Sequence, residues 1–141
     1  MQDRLSSFKD VLQRIPKLTN RGKQSLMLVH ILNNLPENSP QLQLHCASKD
    51  NDFGNAYPPL RTDYKWEFCG WYRTLYFCHF WWGDKDTAFD VFNEMNYCVH
   101  DGYSFIPQGT KRCIWNVKAD GIYMGYEDQS GQTIYKKYRD W

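Results

Sequence analysis

Residues 74–92 read TLYFCHFWWGDKDTAFDVF. The first nine, Thr74 to Trp82, are apolar on both faces of an extended chain, which marks a strand in the middle of a sheet. The run is about half the roughly 20 residues that a membrane-spanning helix requires. Gly83 to Asp86 then supply turn chemistry, and Ala88 to Asn93 resume as a second, shorter strand. The stretch is therefore two strands joined by a charged turn, and it sets the fold class for its neighbours.

The period of two extends outward on both sides. In QLQLHC, Leu42, Leu44 and Cys46 share one face while Gln41, Gln43 and His45 share the other. YKWEFC sets Tyr64, Trp66 and Phe68 against Lys65, Glu67 and Cys69. RCIWNVK turns Cys113, Trp115 and Val117 inward, with Arg112, Asn116 and Lys118 outward. Such alternation belongs to antiparallel strands with one solvated face. LMLVHIL (Leu26 to Leu32), GIYMGY (Gly121 to Tyr126) and TIYKKY (Thr133 to Tyr138) complete the set. NNLPENSP, KDNDFG, GDKD, ADG and DQSG supply turns between them. The expectation is an all-β protein, an antiparallel β-sandwich of seven or eight strands, with a barrel as the second choice. Aromatic residues make up 17% of the chain, as expected for a core of large flat rings.

The front of the chain differs in kind. Residues 1–23 carry six basic and two acidic groups, and the remainder eleven basic and fourteen acidic. Leu5, Phe8, Val11, Leu12 and Ile15 fall at helical spacing, with Asp3 placed to cap and Pro16 to terminate. We expect a short N-terminal helix over 3–15, a basic segment and linker over 1–24, and the sandwich domain over 25–141. No secretory signal is visible in this segment. Arg4, Arg14 and Arg21 suit a mitochondrial-type presequence, but Asp3 and Asp10 weigh against one. The net charge of +1 calls for neither nucleic acid nor an anionic membrane as partner.

Five cysteines stand at 46, 69, 78, 98 and 113, none spaced C-x-x-C, so zinc ribbons and thioredoxin chemistry are disfavoured. Strand phase puts Cys46 and Cys113 on apolar faces, where they can meet. Cys69 keeps step with Lys65 and Glu67, so it is the free thiol. Cys78 is left for Cys98. These pairings are disulfides of an oxidising compartment.

Lys49, Asp50, Asn51 and Asp52 form one charged loop, and Asp84, Lys85 and Asp86 another. Both are ordinary turns and also candidate partner-binding loops, since folds of this kind place recognition there. A helix–loop–helix calcium site needs more ligands than Asp50 and Asp52 supply. Trp71, Tyr72, Trp81, Trp82 and Trp115 could stack on sugars, with Trp71 and Tyr72 in a turn. His30, His45, His79 and His100 fit no metal or catalytic spacing. No nucleophile, metal set or cofactor motif argues for an enzyme.

In order along the chain, VHILNNL, LQLHCASKDNDFG, YKWEF, TLYFCHFWWGDKDTAFDVF and CIWNVKADGIYMG, with an aromatic tail, resemble the plant self-incompatibility S-protein homologue family over residues 28–141. The resemblance implies a small secreted plant protein, a β-sandwich held by two disulfides. It matches family cysteines to Cys46, Cys78, Cys98 and Cys113 and leaves Cys69 outside the pattern. Founding members are pistil-secreted ligands that bind a receptor on incompatible pollen, trigger calcium influx and stop growth. The implied function is an extracellular signalling ligand, a monomer without cofactor that meets a cell-surface protein receptor and does not insert in a membrane. An extracellular carbohydrate-binding β-sandwich is the alternative.

Overall fold

The computed structural model describes residues 24–141. Nine strands follow one another: β1 (Ser25–Asn33), β2 (Leu42–Ser48), β3 (Asp52–Ala56), β4 (Asp63–Gly70), β5 (Tyr76–Trp82), β6 (Lys85–Phe92), β7 (Arg112–Lys118), β8 (Gly121–Glu127) and β9 (Thr133–Arg139). They form a five-stranded sheet, β4-β1-β7-β8-β9, and a four-stranded sheet, β3-β2-β5-β6. All pairings are antiparallel except β1 with β7, which is parallel.

The alternating residues of both sheets fill one core. Met27, Val29, Ile31, Phe68, Trp115, Val117, Ile122 and Met124 come from the larger sheet, and Leu42, Leu44, Tyr76, Phe80, Phe89 and Val91 from the smaller. Trp115 is fully buried between them, and its indole Nε1–H donates to the Val91 carbonyl at 3.1 Å. A ring of this kind removes roughly 150–250 Å² from water, worth about 4–6 kcal/mol before the entropy of ordering is subtracted.

The expectation of a helix-led fold is corrected. Among the described residues there is no α-helix, only a 3-10 turn at His100–Gly102. The segment 3–15, on which the helix was placed, lies outside the described residues. The strand count also rises to nine, because KDNDFG, read as a turn, contains the start of β3. Gly54 explains the difference. It has φ +71°, and the β2–β3 register shifts between His45 and Ala47, so the strand carries a bulge where its sequence resembles a loop.

The disulfides join Cys46 to Cys78 and Cys98 to Cys113, leaving Cys69 free. The expected pairing of Cys46 with Cys113 and Cys78 with Cys98 is therefore corrected. Cys46 and Cys78 are register partners on adjacent strands β2 and β5, both pointing into the core. Their bond staples the smaller sheet to itself. Cys98 lies in the β6–β7 connection and ties it to the larger sheet at β7. Strand phase gave the inward faces of Cys46 and Cys113 and the outward face of Cys69, but not which strand lies beside each.

β5 is an inner strand, between β2 and β6. Its second apolar face, however, is not covered. Tyr76, Cys78 and Phe80 are buried, while Phe77 is 44% exposed and His79 and Trp81 are half-buried on the outside.

Candidate interaction face

The two charged loops lie at opposite ends of the four-stranded sheet. Ser48 pairs with Tyr76, and Leu42 with Trp82. Lys49, Asp50 and Asn51 therefore leave the sheet at one end and Gly83 and Asp84 at the other, about 20 Å away along six residues of strand. Asp52 is the first residue of β3, and Lys85 and Asp86 are the first two of β6. The tight turn has Gly83 at φ +64°, as a Gly-first hairpin turn requires.

Both loops are linked through the outer surface of the sheet. His45 Nε2 lies 2.6 Å from Asp52 Oδ1, and His79 Nε2 lies 2.7 Å from Asp86 Oδ2. A carboxylate only accepts, so each imidazole donates from Nε2. His45 and His79 are themselves register partners. The Gly54 N–H also donates to Asp52 Oδ1 at 2.9 Å, and this bond, followed by that from His45, holds the Asp52 carboxyl below its ordinary range. His79 stacks flat on Trp81, with centroids 3.8 Å apart and planes at 9°. Phe77 and Trp81 complete the face along β5.

The outer surface of the larger sheet is covered in part by its own side chains, with Leu26 left 48% exposed at the start of β1. His30 is on that side but only 5% exposed. Its Nδ1 lies 2.6 Å from Asp63 Oδ2, and Arg112 Nε donates to its Nε2 at 3.4 Å. Arg112 continues to Glu127 at 3.1 Å. The Asp63 carboxylate accepts from the Nδ1–H, and Nε2 accepts from Arg112. Gly125 leaves space for the Tyr135 ring, which would stand 2.6 Å from an added Cβ. Ile114 and Asn116 are buried on this side as well.

The sugar-stacking candidates separate. Trp115 is core, and Trp82 packs on Trp141 with centroids 5.6 Å apart. Trp71 and Tyr72 are exposed but meet edge to face, and Arg73 lies 5.5 Å over the Tyr72 ring. Their rings do not form one flat platform. Cys69 is half-buried on β4, and burial, then the Glu67 charge, push its thiol up, so the thiolate needed of a nucleophile is disfavoured. Among the described residues no group of three or more His, Cys, Asp or Glu could hold a metal ion, and no helix is long and apolar enough to cross a membrane.

Sequence reasoning missed His45, His79 and Phe77 as parts of one surface. A signal was present: HCASKDND and HFWWGDKD share the spacing H-x4-D-x-D, His45 with Asp50 and Asp52, His79 with Asp84 and Asp86. On two hairpin-forming stretches, that spacing brings the last aspartate back beside the histidine.

A family model described as plant self-incompatibility protein S1 matches residues 28–141. The chain belongs to this family. The S1-family chain is 32% identical over 85 residues to S-protein homolog 5 of Arabidopsis thaliana, covering 58% of this chain and 59% of the relative. It is 30% identical over 113 residues to S-protein homolog 3 of Arabidopsis thaliana, covering 76% and 69%. Self-incompatibility protein S1 of Papaver rhoeas is 28% identical over 94 residues, covering 65% and 63%. The chain spans 59%, 55% and 64% of the length of S-protein homologs 5, 2 and 19. No solved structure matches.

Proposed function

We propose that this S1-family protein is a secreted, monomeric signalling ligand of plants that acts outside the cell on a cell-surface protein receptor, without catalysis or cofactor. Membership of the family carries the reading. Two disulfides in the core support export, since such bonds form and persist in oxidising compartments. The high-lying Cys69 thiol offers no nucleophile in support of an enzyme. The candidate receptor contacts are Lys49, Asp50, Asn51 and Asp52 at one end of the smaller sheet and Asp84, Lys85 and Asp86 at the other.

The test is recovery of the protein from plant apoplastic fluid, with intact mass before and after reduction. A gain of four hydrogens on reduction of exported material is the expected result. Absence from the apoplast, or five free thiols in the native protein, would overturn the reading. Labelled protein should also bind intact plant cells, and alanine at Asp50, Asp52, Asp84 and Asp86 should weaken that binding without loss of fold.

A further inference from the structure

We propose that the outer face of the four-stranded sheet is a recognition surface for an extended, arginine-bearing protein segment; this rests on the ligand reading above and names the chemistry of its partner. The first observation is apolar. An antiparallel sheet facing water ordinarily turns polar side chains outward, yet β5 turns Phe77 and Trp81 out, in the middle of the sheet. On the other sheet Ile114 and His30 are buried on the outer side and Leu26 is 48% exposed at the start of β1, whereas here the open rings Phe77 and Trp81 flank His79 along an inner strand.

The second observation is charge. Within β2, β3, β5, β6 and their two turns the acidic residues are Asp50, Asp52, Asp84, Asp86 and Asp90, and the basic ones Lys49 and Lys85. Lys85 is partly withdrawn, with Nζ 5.9 Å over the Trp82 ring. Asp90 is tied to Asn93 Nδ2 at 2.9 Å. Asp52 and Asp86 are the exposed carboxylates held on the face, with side chains 68% and 55% accessible. Each histidine engages a single carboxylate oxygen, Oδ1 of Asp52 and Oδ2 of Asp86, and leaves the other for a partner.

An acidic rim around exposed rings selects a cation that is flat and weakly hydrated. Guanidinium meets both demands, stacking on an aromatic face and forking onto a carboxylate, whereas ammonium does neither as well. Register gives the spacing. Asp52 lies level with Ala47 and Phe77, and Asp86 with Trp81 and Gln43. The two rows are roughly 14 Å apart along the strands, and β3 and β6 roughly 14 Å apart across the sheet. The aspartates are thus about 20 Å apart on the diagonal, the reach of about six extended residues. The segment that fits carries two arginines about six residues apart with apolar residues between them.

The test uses the full disulfide-bonded chain and synthetic probes. A peptide with two arginines six residues apart and leucine and serine between them is titrated while the His45 and His79 imidazole resonances are followed. Its lysine and glutamate counterparts, and soluble xyloglucan, are run in parallel. The arginine peptide should shift both imidazoles and bind at least about fivefold more tightly than the lysine peptide, and D52N/D86N should weaken it by about tenfold. Spectra of the variant, otherwise unchanged, show that it folds. No imidazole shift with the arginine peptide, equal binding of the glutamate peptide, indifference to D52N/D86N, or a response to xyloglucan alone would each overturn the proposal. None of these outcomes depends on export, so failure here is distinguishable from failure of the ligand reading.

Discussion

His45 and His79 stand opposite each other on β2 and β5, and each is held by the aspartate seven residues later in its own hairpin. Two turns at opposite ends of a sheet are thereby joined across its outer face. The charged loops of the sequence are not one cluster but two anchors of a single surface.

Nonreducing peptide mapping should recover Cys46 linked to Cys78 and Cys98 linked to Cys113, with Cys69 alone alkylated. In the chain-entropy account, closing the separations of 32 and 15 residues contributes about 4 and about 3 kcal/mol. Serine replacing both members of either pair should lower unfolding free energy by about those amounts in denaturant titration. Variants as stable as the parent would show that the bonds add nothing to the folded state.

Trp115 joins the two sheets, so truncation there should be severe. Trp115→Ala removes a fully buried ring and strands the Val91 carbonyl, and a loss of about 3–5 kcal/mol is expected. Trp115→Phe should cost less, because it keeps most of the apolar contact. Chemical unfolding of the two variants checks the order.

Tyr138 donates its hydroxyl to Asp101 at 2.8 Å, and burial first, then Asp101, push its pKa up to about 12. The folded state therefore favours the neutral phenol. The stability this contributes is whole below the unfolded value of about 10 and is lost as pH rises through about 12. A tyrosinate absorbance titration should show a late step that Tyr138→Phe removes. A complete titration near the ordinary phenol value would contradict this.

Cys69 should alkylate slowly at neutral pH and faster as the solution becomes alkaline, with a midpoint above that of an ordinary thiol, because burial and Glu67 oppose the thiolate. Cys69→Ser should leave the fold unchanged. Rapid labelling at neutral pH would show a more open or more electropositive setting.

Much of the sandwich was legible because alternation is local. YKWEFC and RCIWNVK state their own inward faces, and Cys46 declares its burial beside Leu44. Pairing was not legible, because two residues of equal phase can meet any strand in the layer. Cys46 found Cys78, the neighbour in register, rather than Cys113 on the opposite sheet. β3 was hidden because Asp52 and Gly54 are turn-formers used inside a strand, with positive φ at the glycine. The inner place of β5 was legible from its two apolar sides, and the exposure of one of them was not. Apolar residues on both sides of a strand place it inside a sheet without saying that a second layer covers each side.

The side-by-side placement of β1 and β7 has a temporal meaning. Leu28 lies beside Arg112, and Asn33 beside Val117. During synthesis the larger layer has its β1–β4 pair by Gly70 but is completed only when β7, β8 and β9 follow, whereas β2, β5 and β6, and the Cys46–Cys78 bond, are all available by Phe92. The smaller layer can close first and offer its inner surface as a template for the β1–β4 pair, whose open edge on β1 stays unfilled until the parallel neighbour arrives.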